Sequence, residues 1–389
     1  MFTTRAIPRI PFLLFWLAPL AAAGCDTAVG GATPAATPPA AYADPARLDA
    51  IDDSAFGALV ETLSEPDAYF DTDNLISNES SYLHVVGALE RLGVRGGAYV
   101  GVGPAQNFSY LVAVRPSLAF LVDIRRDNLL QHLWFKALFE AAATRLDYLC
   151  MMVSRACSGP GEGLSIGELV ERVDAAAPVP AADSLVERLV AAAASHGVTL
   201  DSGDSVVVRS IHRRFAADGL DLQFNTHGRA PRWYYPTLRR LLLERDLEGR
   251  QANYLATEEG YRFVRALQRA NRVVPVVGDL AGDHALRAIG REVHARDEAV
   301  SAFYASNVEF YLFQDGVFDR FVDNLTGLPI RENSVIIRSY FNRSGPVPGS
   351  VSGYASAQLL QPIGELVEGW REGRMRTYRE VVRGGHGVN

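Results

Sequence analysis

Residues 96–123 constrain the fold of this chain more than any other stretch. Their sequence, GGAYVGVGPAQNFSYLVAVRPSLAFLVD, predicts a strand at Ala98–Val102, a glycine turn, a short helix at Gln106–Val114 and a second strand at 118–122. The second strand is apolar throughout, as in a parallel strand that is buried on both faces. A strand, a turn, a crossover helix and another buried strand together predict the beginning of an α/β sheet.

The rest of the chain extends this alternation of strands and helices. Further strands are predicted at Val273–Val277, at 300–304 and within 334–341, with helical patterns between them. The alternation predicts an α/β fold with a doubly wound, mostly parallel sheet and helices on both faces. Residues from about 140 to 256 have mostly helical patterns, so we predict a large helical insertion there. Within it, the alternation of Leu220, Leu222 and Phe224 predicts one short strand.

The first 46 residues predict an exported and tethered protein. Residues 1–24 combine basic residues with an apolar run too short for a stable membrane anchor, as in a signal peptide. Ala22-Ala23-Gly24-Cys25 resembles a bacterial lipobox, which would make Cys25 the lipidated first residue. The alternative is an ordinary secretory signal with an incidental cysteine. Residues 25–46 are rich in Ala, Pro and Gly and predict a flexible tether.

These segments imply a domain plan and a location. The α/β domain is predicted at 47–345, followed by a C-terminal segment at 346–389, which from Trp370 onward has the pattern of a solvated helix or a frayed end. A lipidated Cys25 would hold the domain on the periplasmic side of a bacterial membrane, although the sequence does not distinguish the inner from the outer membrane.

Composition excludes several kinds of chemistry. The formal net charge of -7 provides no basic surface for nucleic acid. Lys136 is the only lysine, so a phosphate-binding Walker A lysine is excluded. The eight histidines form no H-E-x-x-H motif and no close pair suited to a metal, so no metal site is predicted.

Cys150 and Cys157 remain as a candidate disulfide. On one straight helix, seven residues span about 10 Å at 1.5 Å per residue, whereas a disulfide tolerates a Cα separation of about 4.4–6.8 Å. A bridge therefore requires the helix to break near 154–156, which is close to the turn signal at 158–161. Export would permit the bridge, and two buried free thiols are the alternative.

A ligand site is predicted at the carboxyl ends of the strands, where ligands bind in sheets of this kind. Gly101 and Gly103 form a G-x-G turn that lets a ligand approach the backbone, although Gln106 stands where the third glycine of G-x-G-x-x-G would be. The alternative is a plain tight turn.

Two acids follow neighbouring strands and extend this site. Asp123 closes the second strand 20 residues after Gly103 and is suited to accept hydrogen bonds from ribose hydroxyls. It would alternatively pair with Arg125 or Arg126, or cap the helix that follows. Asp279, in Gly278-Asp279-Leu280, is placed to read an adenine amino group, or else to cap the next helix.

The order of these motifs resembles that of class I S-adenosylmethionine-dependent methyltransferases. The resemblance covers about 96–139 and 257–341 and implies an S-adenosylmethionine site at Gly101, Gly103, Asp123 and Asp279. Gln106 and Asn307 would complete the contacts. There are two departures: Tyr99 replaces the acid usual two residues before the first glycine, and Ser306-Asn307-Val308-Glu309 lacks the prolines that N-methylating members carry after the fourth strand.

Longer phrases, including LISNESSYLHV and VPVVGDLAGDHALRAIG, also resemble an uncharacterised bacterial family with this methyltransferase-like core. That resemblance spans most of residues 75–340 and implies the fold rather than a reaction.

Three functions remain open from the sequence. The first is a membrane-anchored methyltransferase-like protein that binds a nucleoside-type ligand, with Asp127, Glu79 and Asn307 as the polar candidates nearest the reaction. The second, favoured by export away from the cytoplasmic cofactor and by Tyr99, is a non-catalytic binding lipoprotein that reuses the fold. The third is a nicotinamide-dependent oxidoreductase, which Gln106 disfavours. Asn78-Glu79 would lie over the ligand or in a solvent-facing turn, and Trp233-Tyr234-Tyr235 would line the pocket or pack the insertion.

Overall fold

A computed structural model describes residues 48–179, 183–228, 230, 232–341 and 345–387. The signal peptide, Cys25 and the tether lie outside the described residues. The described residues belong to one compact unit. In the part of the chain that is described, no helix is both long enough and apolar enough to span a bilayer.

Seven strands form one mostly parallel sheet. They are β1 (Ala98–Val102), β2 (Leu118–Asp123), β3 (Val273–Val277), β4 (Val300–Ser306), β5 (Ile330–Phe341), β6 (Ser356–Pro362) and the two-residue β7 (His386–Gly387). Their order is β3-β2-β1-β4-β5-β6-β7, and the direction of travel reverses between β1 and β4. The first five strands are parallel, and β6 and β7 each pair antiparallel with the strand before them. The predicted α/β class and the mostly parallel sheet are confirmed.

The described residues also contain fifteen α-helices. They are α1 (Asp53–Leu63), α2 (Val86–Arg91), α3 (Gln106–Val114), α4 (Arg126–Ala141), α5 (Arg145–Met152), α6 (Ile166–Ala175), α7 (Asp183–Ser195), α8 (Ser202–Asp218), α9 (Leu238–Leu243), α10 (Glu258–Arg269), α11 (Ala285–Ala295), α12 (Val308–Gln314), α13 (Phe318–Thr326), α14 (Ile363–Arg371) and α15 (Tyr378–Gly384). Against the sheet, α4 packs on β2 and β3, α3 on β1 and β4, and α14 on β5. One hydrophobic core joins these layers to the helices between 145 and 243.

The region between β2 and β3 is mostly helical and includes α5 to α9. Arg145 at the start of α5 is fully buried and ties this region to the chain before α10. Its Nη1 donates to the carbonyl oxygens of Leu255 and Ala256, each at 2.9 Å, and its Nε lies 2.6 Å from Glu258. Thr257 caps α10 by accepting a hydrogen bond from the Gly260 amide at 3.0 Å, because its hydroxyl reaches the free amides of the first turn.

Cys150 and Cys157 form a disulfide with their Cα atoms 6.1 Å apart. The helix that carries Cys150 ends at Met152, and Ser154 then adopts a left-handed backbone with φ of 50°. That break folds the chain back, which brings the two cysteines within bridging distance.

Two sequence predictions about local structure are wrong. Leu220, Leu222 and Phe224 are all buried, but the segment has a short 3-10 helix and isolated bridges instead of a strand, because no neighbouring strand lies alongside it. The tail after Trp370 is not a solvated end, since Val381 and Val382 of α15 are buried and the residues after α15 form β7.

Candidate functional site

A cavity of about 550 Å³ opens at the carboxyl ends of four adjacent strands. In sheet order, β3 contributes Gly278 and Asp279, β2 contributes Asp123, β1 leads into Gly103, and β4 leads into Asn307. Parallel strands end at the same edge of a sheet, and this edge includes the point where the strand order reverses. The volume falls within the range of small-molecule sites, about 300–1,000 Å³.

Of the six residues predicted to contact a cofactor, five line this cavity: Gly103, Gln106, Asp123, Asp279 and Asn307. Gly101 does not. A Cβ atom on Gly101 would lie 2.0 Å from Asn107 Oδ1 and 2.7 Å from Tyr99 Oη. Glycine is therefore required at 101 to make room for two side chains of the protein itself.

The turn after β1 is held by buried side chains that the sequence analysis did not identify. Asn107 Nδ2 donates to the carbonyl oxygens of Val102, Gly103 and Pro104 at 2.9, 3.1 and 2.8 Å. His132 Nε2 lies 2.9 Å from the Gly103 oxygen. Burial lowers the pKa of His132 to about 4, so its ring is neutral at neutral pH and donates from Nε2, since a carbonyl oxygen can only accept. Neither residue belongs to a sequence motif that would have indicated this role.

Asp123 is held in place on both of its carboxylate oxygens. Its Oδ1 accepts from the backbone amide and Nε of Arg125 at 3.0 and 3.2 Å, and its Oδ2 accepts from Asn74 Nδ2 at 3.0 Å. Arg125 also donates to the Thr72 carbonyl oxygen at 2.7 Å. The pairing with Arg125 that the sequence left open is present, and the carboxylate still lines the cavity. Oδ2 also accepts from Arg125 Nη2 at 3.3 Å. Each oxygen therefore has two protein donors, and a ligand hydroxyl would have to share or replace one of them.

Asp279 does not cap the helix that follows it. Its Oδ1 accepts from the Ala281 amide at 2.8 Å. Glu65 instead accepts from the first backbone amide of α11. One of its carboxylate oxygens accepts from the Ala285 amide at 3.3 Å, and the other accepts from the Asp279 amide at 2.5 Å. Since Glu65 binds that amide, the side chain of Asp279 is not needed there; it is half-buried and lines the cavity.

Two buried polar atoms in the cavity wall have no protein partner among the described residues. They are Gln106 Oε1 and Thr226 Oγ1. Gln106 uses its amide nitrogen for a long contact of 3.5 Å with Tyr304 Oη, which leaves the oxygen available. Buried polar groups are satisfied in nearly all native structures, so each of these atoms indicates a place for a ligand or a water molecule.

Glu79 lies directly behind the cavity wall and is fully buried. It accepts hydrogen bonds from Tyr304 Oη at 2.6 Å and Gln358 Nε2 at 3.2 Å, and also from the hydroxyls of Ser306 and Ser339. The solvent-facing alternative for Asn78-Glu79 is therefore wrong, since Asn78 lines the cavity and Glu79 is internal. Burial, together with the carboxylate of Glu79, holds the pKa of Tyr304 well above its usual value, so Tyr304 remains a donor.

The other half of the cavity is strongly aromatic. Its rings come from the segment after α1, from α12, from the end of β5, from α15 and from the region after α8. They are Tyr69, Phe70, Phe310, Tyr311, Tyr340, Phe341, Tyr378, Phe224, Tyr234 and Tyr235. Of the cluster in the helical region, Tyr234 and Tyr235 line the cavity while Trp233 is 86% exposed. Tyr378 was missed because the tail after Trp370 was predicted to be a solvated helix or a frayed end, without a buried face. Thr377 and Glu380 form a capping box that signals the helix start.

Two points about the predicted site residues remain, the position of Asp127 and the question of a metal site. Asp127 lines a neighbouring pocket rather than the cavity. No group of three or more His, Cys, Asp or Glu side chains in the described ranges is arranged to hold a metal ion.

A family model described as a domain of unknown function (DUF7790) matches residues 75–158 and 225–366. The two ranges cover more than half of the chain and include every residue predicted to contact a cofactor. They omit 159–224, the part of the helical region that contains α6, α7 and α8. No curated protein matches the sequence.

Proposed function

From the premise that this chain belongs to the family described as a domain of unknown function (DUF7790), we propose that its cavity binds a nucleoside-type ligand of the S-adenosylmethionine kind. In this proposal the sheet is a methyltransferase-like Rossmann fold. The observation that carries it is the convergence of Gly103, Asp123, Asp279 and Asn307 on one cavity from four adjacent strand ends.

The residues present fit such a ligand on chemical grounds. Asp123, held by Arg125 and Asn74, presents a fixed carboxylate to paired ribose hydroxyls. Asp279 offers an acceptor for an exocyclic amino group. The unpartnered Gln106 Oε1 requires a donor, and the turn at Gly103 brings backbone close to the ligand. These acceptors match the donor groups of a nucleoside.

When bound, S-adenosylmethionine would supply an electrophilic methyl group on a sulfonium centre. This chain's contribution would be mainly to position an acceptor against it and to exclude water with the aromatic half of the cavity. Asn307, which follows β4, lines the cavity and would orient the acceptor. The alternative function, a non-catalytic binding protein, is favoured by one observation: the carboxylate of Asp123 already has protein donors on both oxygens.

Binding is tested by calorimetry on the full-length chain with S-adenosylmethionine and with its demethylated product. Asp123→Asn is expected to weaken binding of both at least tenfold, because an amide loses the charge that strengthens its contacts with ribose. The matched control is Asp319→Asn, an exposed acid of α13 outside the cavity, which should bind like the wild type. Absence of binding heat for either ligand at high micromolar concentration would refute the proposal.

The two candidate functions separate in one further measurement. If the ligand binds and mass spectrometry finds a methylated product with small-molecule acceptors, the protein is a transferase. If the ligand binds tightly and is recovered unchanged after long incubation with all acceptors tried, the non-catalytic function is favoured.

Export and membrane attachment form a separate part of the proposal. A lipidated Cys25 would tether the domain to the periplasmic side of a membrane through residues 25–46. Mass spectrometry of the protein from its native membrane fraction should find a mature chain that begins at acylated Cys25. An unprocessed chain that begins at Met1 would overturn this part without affecting the ligand site.

A further inference from the structure

We propose that the aromatic half of the cavity binds an aromatic compound that carries a hydroxyl group, and that this hydroxyl donates a hydrogen bond to Ser306 Oγ. Glu79 fixes the direction of that hydrogen bond. The inference deepens the proposed function by naming the class of the second ligand, but its evidence is a different set of residues in the same cavity.

Ser306 lies in the cavity wall and has a strained backbone, two features that are common in functional residues. It ends β4, lines the cavity, and adopts a left-handed backbone with φ of 51°. A residue other than glycine pays a cost for that conformation, and such residues concentrate at ligand sites. The strained backbone places its hydroxyl between the buried carboxyl of Glu79 and the open cavity.

Glu79 determines what Ser306 can offer to a ligand. A serine hydroxyl has one proton and two lone pairs. Ser306 Oγ lies within reach of two acceptors, and it donates its proton to the closer one, Glu79 Oε1, rather than to Asn307 Oδ1 at 3.3 Å. The side of Ser306 Oγ that faces the cavity is therefore an acceptor. A ligand group that meets it favourably must carry a proton of its own.

The donors around Glu79 keep this arrangement from reversing. Its other oxygen, Oε2, accepts from Tyr304, Ser339 and Gln358. These donors, with the Ser306 hydroxyl on Oε1, take the place of a cationic partner: no arginine, lysine or histidine in the described part of the chain forms an ion pair with Glu79, and Arg338 is paired with Glu309 at 2.6 Å. The carboxyl of Glu79 is thus held as an acceptor on both oxygens.

The rings beyond Ser306 indicate that the ligand is aromatic. Ser306 pairs in register with Arg338 of β5, so Tyr340 and Phe341 lie just past it at the end of the neighbouring strand. Phe310 meets Tyr378 with ring centroids 5.5 Å apart. Aromatic rings pack favourably edge-to-face or offset against such walls, and a flat ring with one hydroxyl fits both the rings and Ser306.

The inference is tested with two probes, 4-nitrophenol and 4-nitroanisole, which differ in one group: the hydroxyl of the first is a methoxy group in the second and has no proton to donate. Binding to the full-length protein is measured by calorimetry at a pH below the pKa of the phenol, with and without the demethylated cofactor product. The wild type should bind 4-nitrophenol about tenfold more tightly, because only the phenol can donate to Ser306. Equal affinities, or no binding of either probe, would overturn the proposal.

Ser306→Gly removes the hydroxyl while favouring the fold, since glycine adopts a positive φ without strain. This variant should bind the two probes with affinities within twofold of each other. The matched control is Asp297→Gly, an exposed residue with φ of 55° after α11, outside the cavity. It makes the same backbone change and should keep the tenfold preference. If Ser306→Gly keeps the preference, the hydroxyl is not the acceptor.

Glu79→Gln tests the role assigned to the buried carboxyl. The three donors at Oε2 would select the amide oxygen at that end, which turns the amide nitrogen toward Ser306. Ser306 would then accept from Gln and donate into the cavity, so binding of the 4-nitrophenolate anion above its pKa should rise at least tenfold over the wild type. An unchanged discrimination against the anion, in a variant that still unfolds cooperatively, would show that Glu79 does not set the direction.

These outcomes are distinct from those of the cofactor proposal. The probe preference is measured without S-adenosylmethionine, so it can hold if no nucleoside binds. Conversely, a protein that binds the nucleoside and shows no probe preference retains the proposed function and loses this inference.

Discussion

Tyr99 Oη donates a hydrogen bond to Asn107 Oδ1 over 2.8 Å, and both side chains are fully buried. The pair lies under the turn at Gly103. Tyr99 occupies the position where the resemblance to methyltransferases led us to expect an acid. Here Tyr99 orients Asn107, whose amide nitrogen donates to three carbonyl oxygens of the turn. The tyrosine that departs from the motif therefore helps to hold this turn in place.

Asn107→Ala is therefore expected to destabilise the protein by about 1–3 kcal/mol, because it removes the donor from a set of buried carbonyl oxygens and the acceptor of Tyr99. Urea unfolding measures the change in free energy. The control is Asn333→Ala, since Asn333 also donates to a carbonyl oxygen, that of Gly93, but is exposed. It should change stability by no more than about 0.5 kcal/mol. Equal costs at the two positions would contradict the role given to Asn107.

Gly57→Ala is expected to destabilise the contact between α1 and the turn after α7. A Cβ atom at 57 would lie 2.1 Å from the Gly197 carbonyl oxygen, and backbone cannot yield as a side-chain end can. The expected cost is about 1–3 kcal/mol or more. In contrast, Gly364→Ala in α14 meets no atom within 4 Å and should stabilise the helix by about 0.5–1 kcal/mol. Thermal unfolding should show a lower melting temperature for Gly57→Ala and a higher one for Gly364→Ala. A Gly57→Ala variant that is more stable than the wild type would contradict the close contact with Gly197.

The sequence predicted the first three strands of the parallel core well because each is an apolar run that is buried along nearly its whole length. Ala98–Val102 and Val273–Val277 begin and end where the pattern indicated. The cap at Thr257 followed in the same way from local chemistry. Such features depend on neighbours in sequence, which a single chain displays directly.

What the sequence did not reveal depends on contacts between distant segments. Glu79 is buried because hydroxyls 225 and more positions away surround it, and its own neighbours are polar and turn-like. Gly101 was assigned to the ligand from its motif, whereas its lack of a side chain serves Asn107. Strand β6 carries no strong period in the sequence, and its antiparallel pairings with β5 and β7 define it.

Reduction of the Cys150–Cys157 disulfide is expected to lower the free energy of unfolding by about 2–3 kcal/mol. The bridge closes a short loop, and a loop of this length restricts the unfolded chain by roughly that amount. Urea unfolding with and without a reductant measures the difference. In the Cys150→Ala/Cys157→Ala double variant the reductant should have no effect, and a wild type that is insensitive to complete reduction would contradict the prediction.

The free energy of unfolding should depend on pH in part because the His132 ring is buried. Burial lowers its folded pKa to about 4 from 6.5, so between these values the unfolded chain binds a proton that the folded chain does not. Stability from this group is present above pH 6.5 and is lost as the pH falls toward 4. His132→Gln should reduce the slope of unfolding free energy against pH in this window by up to about 1.4 kcal/mol per pH unit. Phe108→Leu, which alters the ring packed against His132, should lower stability without changing the slope; a slope unchanged in His132→Gln would show that both states bind this proton equally.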